Sequence, residues 1–163
     1  METKNVQVLE LLQAKFQHVK LEVNEFRGEL TIVVPKEHLV EICRFLKEED
    51  SLKFDFLADL CGIDMATPVH RFGVIYNLYS YNSKHRIRLK TFVEQDHPVV
   101  PTVTGIWATA NWHERETFDM YGILFEGHPD LRRIYMPEEF EYHPLRKDFP
   151  LMGIRGSLEL PKK

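Results

Sequence analysis

His113, Glu114, Glu116, His128 and His143 are the side chains that come nearest to a metal site in this sequence. A protease-type zinc helix needs a second His four residues after the first, so that both rings share a face. That position is Thr117. Glu114 and Glu116 stand two apart, and on a helix they point to different sides. The same stretch carries Arg115, Arg132, Arg133 and Arg146, and carboxylates with cations at hand normally pair with them. Ion pairing is therefore the expected use of Glu114, Glu116 and Asp119. A stand-alone metal-dependent enzyme built on the histidines is the alternative.

Other chemistries find less support. The glycines form neither GxGxxG nor GxxxxGK[ST], so no phosphate-cradling loop is expected. Cys61 and Ser80 sit in no nucleophile elbow. Cys43 and Cys61 are the two cysteines of 163 residues, too few for an iron–sulfur cluster or a structural zinc, and read as buried, reduced thiols of a cytoplasmic protein. A net charge of −4 argues against nucleic-acid binding. The longest apolar runs are a few residues, short of a membrane span, and the N-terminus reads as an amphipathic helix rather than a signal peptide.

The stretch from Asn111 to Leu151 organises the chain. Trp112, Arg115, Glu116 and Asp119 recur at i, i+3, i+4 and i+7, one face of a helix that Gly122 ends. Residues 112–149 carry five Lys/Arg against nine Asp/Glu, the cations grouped at Arg132-Arg133 and Arg146-Lys147. Four prolines follow, after His128, Met136, His143 and Phe149, and each pushes the residue before it out of the helical region. A proline-punctuated ribbon bearing Tyr135, Phe140, Tyr142 and Phe149 needs a surface to lie on, in this domain or in another protein. It also repeats itself: His128-Pro129-Asp130-Leu131-Arg132-Arg133 resembles His143-Pro144-Leu145-Arg146-Lys147. His-Pro holds an extended backbone with an imidazole tip, and the cations after it can clamp carboxylates. The pattern reads either as docking equipment or as a chance recurrence in a short polar stretch.

The elements that position this stretch follow from periodicity. Val6, Leu9, Leu12 and Phe16 repeat at helical spacing, with Val8 and Leu11 widening the stripe. Residues 21–26 and 30–34 form a hairpin about Arg27-Gly28. Pro35 ends it, and a helix follows with Leu39, Ile42, Cys43 and Leu46 inward. Residues 54–61 suit either a strand or a short helix leading into one, and Gly62 and residues 65–68 break the pattern. Residues 71–80 and 86–93 are strands, the second with Arg86, Arg88 and Lys90 on its outer face. Residues 94–101 read as a loop, and 103–110 as a helical turn. This order predicts an α+β two-layer sandwich, helices on one face of a mixed, mostly antiparallel sheet. The expected division is one domain over 1–135, including the 112–122 helix, and a C-terminal docking tail over 136–163.

Glu114-Arg115-Glu116, Asp119-Met120-Tyr121-Gly122-Ile123, residues 125–133 and His143-Pro144-Leu145-Arg146-Lys147-Asp148-Phe149-Pro150 resemble the signature of the 30 kDa subunit family, the C subunit of respiratory complex I. The likeness runs over about 40 residues, and Ala110-Asn111-Trp112 before them also fits. It departs at Phe140-Glu141-Tyr142, where Trp-Glu-Gly is usual, at Ala108-Thr109 for Pro-Gly, at His113, and in a short tail after Pro150. The resemblance implies a non-catalytic subunit of the peripheral arm of a proton-pumping NADH:quinone oxidoreductase, with no membrane span. It implies no cofactor bound by this chain; NADH, flavin, iron–sulfur clusters and quinone belong to the complex. It further implies docking on the D subunit near the quinone site, with the B and I subunits as neighbours, and a peripheral place on the cytoplasmic face of a prokaryotic plasma membrane. The equivalent subunit of a membrane-bound hydrogenase or other dehydrogenase complex is the runner-up. Trp112, Glu114, Arg115, Glu116, Asp119, Gly122, His128, Pro129, Arg132, Arg133, His143, Pro144, Arg146, Lys147 and Asp148 are the interface and signature residues. An ion-paired joint between the 114–119 carboxylates and the Arg132 and Arg146 clusters is expected to fix the ribbon's path. The ribbon from Met136, and above all 153–163, is expected to be loosely held without its partner.

Overall fold

The computed structural model describes residues 2–67, 70–154 and 156. In chain order the elements are α1 (Glu2–Lys15), β1 (Glu22–Phe26), β2 (Glu29–Val33), α2 (Leu39–Glu48), β3 (Phe56–Asp64), β4 (Phe72–Ser80), β5 (His85–Val93), β6 (Val99–Pro101), α3 (Ala110–Tyr121) and β7 (Leu124–Glu126). The large sheet has the order β1-β2-β5-β4-β3, antiparallel except for the β2–β5 pair. One face is apolar: Leu30 and Ile32 of β2, Ile87 and Leu89 of β5, Val74 and Tyr76 of β4 and Leu60 of β3 are all at most 3% exposed. Helices α1, α2 and α3 cover that face, as the sequence predicts, and among the described residues the opposite face is open.

Alternation explains the strands: in β4 and β5 alternate residues are buried and the residues between them mostly are not. The turn of β1–β2 places Arg27 and Gly28 at φ 54 and 78, the pair of positive values that a tight hairpin turn needs. Helix α2 buries Leu39, Ile42, Cys43 and Leu46, as its spacing predicts.

Three expectations change. In α1 the inward stripe is Asn5, Val8, Leu12 and Phe16, while Val6 is half exposed. Asn5 turns inward because its Oδ1 accepts from His85 Nε2 on β5, at 2.8 Å. Residues 56–64 are one strand that runs through Gly62 instead of breaking there. The Tyr121 ring lies so close that a Cβ at Gly62 would stand 2.5 Å from it, so glycine here admits α3 against β3. Within the predicted 94–101 loop, β6 pairs in parallel with β7. Three residues are too short for a periodic signal.

A helix-and-ribbon clamp

Helix α3 is held on two sides. Thr117 and Tyr121 pack on Gly62 of β3, and Arg115 and Asp119 meet the ribbon. Glu114 and Asp119 are completely enclosed, whereas Trp112 is 64% exposed. The inward set thus differs from the predicted stripe: Glu114 replaces Glu116, because the helix is covered from more than one direction. Trp112 instead lies over the Arg115 guanidinium, 4.8 Å from ring centre.

Asp119 is the anchor. Its Oδ2 accepts from the backbone N–H groups of Ile134, Tyr135 and Met136 at 3.0, 2.7 and 3.0 Å, and its Oδ1 from Arg133 Nη1 at 2.6 Å. Burial alone would raise this carboxyl, but the three amides and Arg133 hold it below its usual value. Arg115 answers in the other direction, donating to the carbonyls of Arg132 and Arg133.

The two His-Pro motifs do the same thing at opposite ends of α3. His128 donates through Nε2 to the Asn111 carbonyl at 3.2 Å, its Nδ1 accepting from Asp130 N–H. His143 donates through Nδ1 to the Asp119 carbonyl at 2.9 Å. Beyond His143, Leu145 N–H reaches the Met120 carbonyl and Arg146 Nε the Tyr121 carbonyl, at 3.1 and 2.6 Å. The last carbonyls of a helix lack partners within it. Here the 143–146 segment supplies them, with a cation where the helix dipole favours one. Gly122, at φ +72, stands at the crossing; a Cβ there would collide with Arg146 and His143.

Arg146 also lies 4.8 Å from the Phe72 ring centre. Next to it, Asp64 accepts both Arg71 Nε and Nη2, at 3.2 and 3.1 Å, together with Lys147 N–H at 2.8 Å. Asp148 binds Arg71 from outside at 2.7 Å. Asp64 is pulled below its usual value by Arg71 and by backbone donors, against burial. Asp64 and Arg71 were not legible as site residues, since their link to the ribbon spans 83 positions.

The predicted ion-paired joint takes a different form. Among the signature cations only Arg133 pairs with a carboxylate of α3. Arg115 and Arg146 take carbonyls, Arg132 pairs in the open with Asp130 at 3.0 Å, and Lys147 contributes its backbone. Glu114 accepts Thr102 Oγ1 and Val103 N–H at 2.5 and 2.8 Å, tying α3 to the end of β6; His128 Nε2 is 3.9 Å away. Burial raises the Glu114 carboxyl to about 7, against those two hydrogen bonds. Glu116 is half-buried, and Pro129 and Pro144 shape the backbone beside their histidines. His113 stands 3.7 Å from Asp59. The histidines of the metal alternative are thus kept apart, and among the described residues no group of three or more His, Cys, Asp or Glu could hold a metal ion.

Of the ribbon's aromatics, Phe140 is buried and stacks edge-on with Tyr142 and near Phe149, ring centres 5.5 and 6.4 Å away, while Tyr135 is exposed. The ribbon's surface is, in this part, the domain's own α3. Residues 155 and 157–163 of the expected loose tail lie outside the described residues.

Fold and site define a two-layer α+β protein whose helix α3 and C-terminal ribbon form one clamp. The family described as the 30 kDa subunit of the respiratory-chain NADH dehydrogenase matches residues 32–155. The chain is 58% identical over 131 residues to the second C subunit of the NADH-quinone oxidoreductase of Rhizobium meliloti (strain 1021), covering 80% of this chain and 71% of that protein. It is 50% identical over 147 residues to the C subunit of the same enzyme from Roseiflexus sp. (strain RS-1), covering 90% and 84%. A solved trypsin-resistant fragment (1-134) of Nqo5 superposes with a TM-score of 0.61 at 36% identity, over 76% of this chain and 99% of that one. A chain of the membrane-bound sulfane sulfur reductase, an archaeal respiratory membrane complex, shares the fold, with a TM-score of 0.76 at 23% identity over 91% and 87%. The chain belongs to the 30 kDa subunit family of the respiratory-chain NADH dehydrogenase, complex I. Among the described residues no helix is long and apolar enough to cross a membrane.

Proposed function

We propose that the chain is a non-catalytic subunit of the peripheral arm of NADH:quinone oxidoreductase, holding no flavin, cluster or metal of its own. It docks on the D subunit near the quinone site, with the B and I subunits as further neighbours, on the cytoplasmic face of the membrane. The tail from 136 onward is the docking element. One observation carries this reading: the ribbon is inside out. His143, Arg133 and Arg146 are spent on α3, while Tyr135, Leu145, Leu151 and Met152 are 61, 51, 102 and 93% exposed. Polar groups consumed within the chain are not free for catalysis, and exposed apolar side chains on such a strap mark a contact surface.

The test is a Leu151→Asp/Met152→Asp variant expressed with the whole complex. The isolated chain should melt unchanged, the amount of chain co-purifying with the D subunit should fall, and quinone reductase activity should fall in proportion. Normal assembly with a selective loss of turnover would place the ribbon in the chemistry instead. Recovery of hydrogenase-type subunits in the purified complex would name a different parent enzyme.

A further inference from the structure

The bare face of the large sheet is chemically zoned. Pairing sets side chains in lateral rows: Phe56–Tyr79–Arg86, then Asp59–Asn77–Arg88–Thr31, then Cys61–Ile75–Lys90–Val33, then Ile63–Gly73–Phe92. About the first two rows lies a cavity of about 440 Å³, walled by Phe56, Ala58, Tyr79, Arg86 and Arg88. Its aromatic side is preformed, since Tyr81 leans on both Phe56 and Tyr79 with ring centres 5.5 and 5.1 Å apart. Arg88 shows what these cations take: its Nη2 meets the Glu29 carboxylate at 3.0 Å, while its Nε is steadied by Asn77 Oδ1 at 3.1 Å. Arg86 and Lys90 have no carboxylate partner among the described residues. The face also carries the carboxylates of Glu22, Glu29 and Asp59, but among the described residues none of them pairs with Arg86 or Lys90. Charge complementarity therefore asks for an acidic occupant. The face continues past the cavity into Ile75, Val33, Ile63 and Phe92, more surface than a small anion covers.

We propose that this face docks an acidic segment of a neighbouring subunit, with carboxylates against Arg86 and Lys90 and an apolar side chain between Phe56 and Tyr79. The proposal rests on the reading above, that the chain works inside a multi-subunit enzyme.

Cys61 is an internal reporter: against the expectation of two buried thiols it is exposed, because its register puts it on the outer face of β3, while Cys43 is fully buried. A maleimide should label Cys61 in the isolated chain and react about tenfold more slowly in the purified complex, as a covered interface requires. An Arg86→Glu/Lys90→Glu chain should melt as the parent does, yet be recovered in the complex at about one fifth of the normal level at physiological salt. Arg86→Lys/Lys90→Arg, which keeps the charges, should restore recovery. Equal labelling in chain and complex would overturn the proposal, as would normal assembly of the charge-reversed chain. Protection of the isolated chain by its own concentration, or by inorganic phosphate, would also overturn it, in favour of a second copy or a small anion. A chain that enters no complex sinks both readings; a complex in which Cys61 stays reactive sinks this one alone.

Discussion

Arg146 and Tyr121 are joined by a 2.6 Å hydrogen bond from the guanidinium Nε to the last carbonyl of α3, a side chain finishing a helix that ended 25 residues earlier. The Phe72 ring beneath the guanidinium fixes its plane.

Removing that group tests the clamp. Arg146→Ala should cost about 2–4 kcal/mol, the sum of a charged hydrogen bond and a cation at a helix end. Gly122→Ala should cost about 1–2 kcal/mol for the left-handed backbone alone, plus the displacement of Arg146 and His143. The two losses should therefore be less than additive, by at least about 0.5 kcal/mol in a urea-unfolding double-mutant cycle. Strict additivity would mean that Arg146 does not press on Gly122.

Asp119→Ala should destabilise more, by about 3–5 kcal/mol at neutral pH, because it takes the carboxylate partner from Arg133, whose side chain is 11% exposed, and leaves three enclosed amides without their acceptor. The Asp119 carboxyl titrates below its ordinary 3.8, so its contribution is present above that value and is lost as pH falls through the lower folded one. The gap between variant and parent should narrow in acid. A gap that stays constant down to the acid limb would show that the charge on Asp119 contributes nothing.

Glu114 works in the opposite sense. Its carboxyl lies at about 7 in the fold against an ordinary 4.5. Below the lower value both states hold the proton; between the two the unfolded chain releases it first. Stability therefore falls as pH rises across this window, by about 3 kcal/mol in all. Glu114→Gln keeps the shape and should flatten the slope. Parallel stability–pH curves for variant and parent would count against a raised Glu114.

How far these features were legible depends on what kind of signal each leaves. Helix α2 and strands β4 and β5 were readable because burial there repeats with the period of the element itself. The ribbon's cations were readable as donors but not as to their acceptors. Arg115 and Arg146 take main-chain carbonyls, which every residue carries, so nothing in the sequence marks Arg132 or Tyr121 as partners. Glu114 was expected to face an arginine, yet it caps Val103 across a turn whose geometry exists only once α3 has docked. Asn5 departed from its helix's apolar stripe for the same reason, since His85 meets it only across the core.

The closing of α3 by residues 143–146 also has a temporal consequence. A chain emerging from the ribosome has made the whole of α3 before it has made the groups that finish it. Until Leu145 and Arg146 appear, the Met120 and Tyr121 carbonyls at the helix end lack these partners, so that half-made and clipped chains carry a visible mark of incompleteness. Nested C-terminal truncations should accordingly lose stability in one step across 143–146 rather than along a gradual slope. The ribbon thus serves as the molecule's own seal of completion.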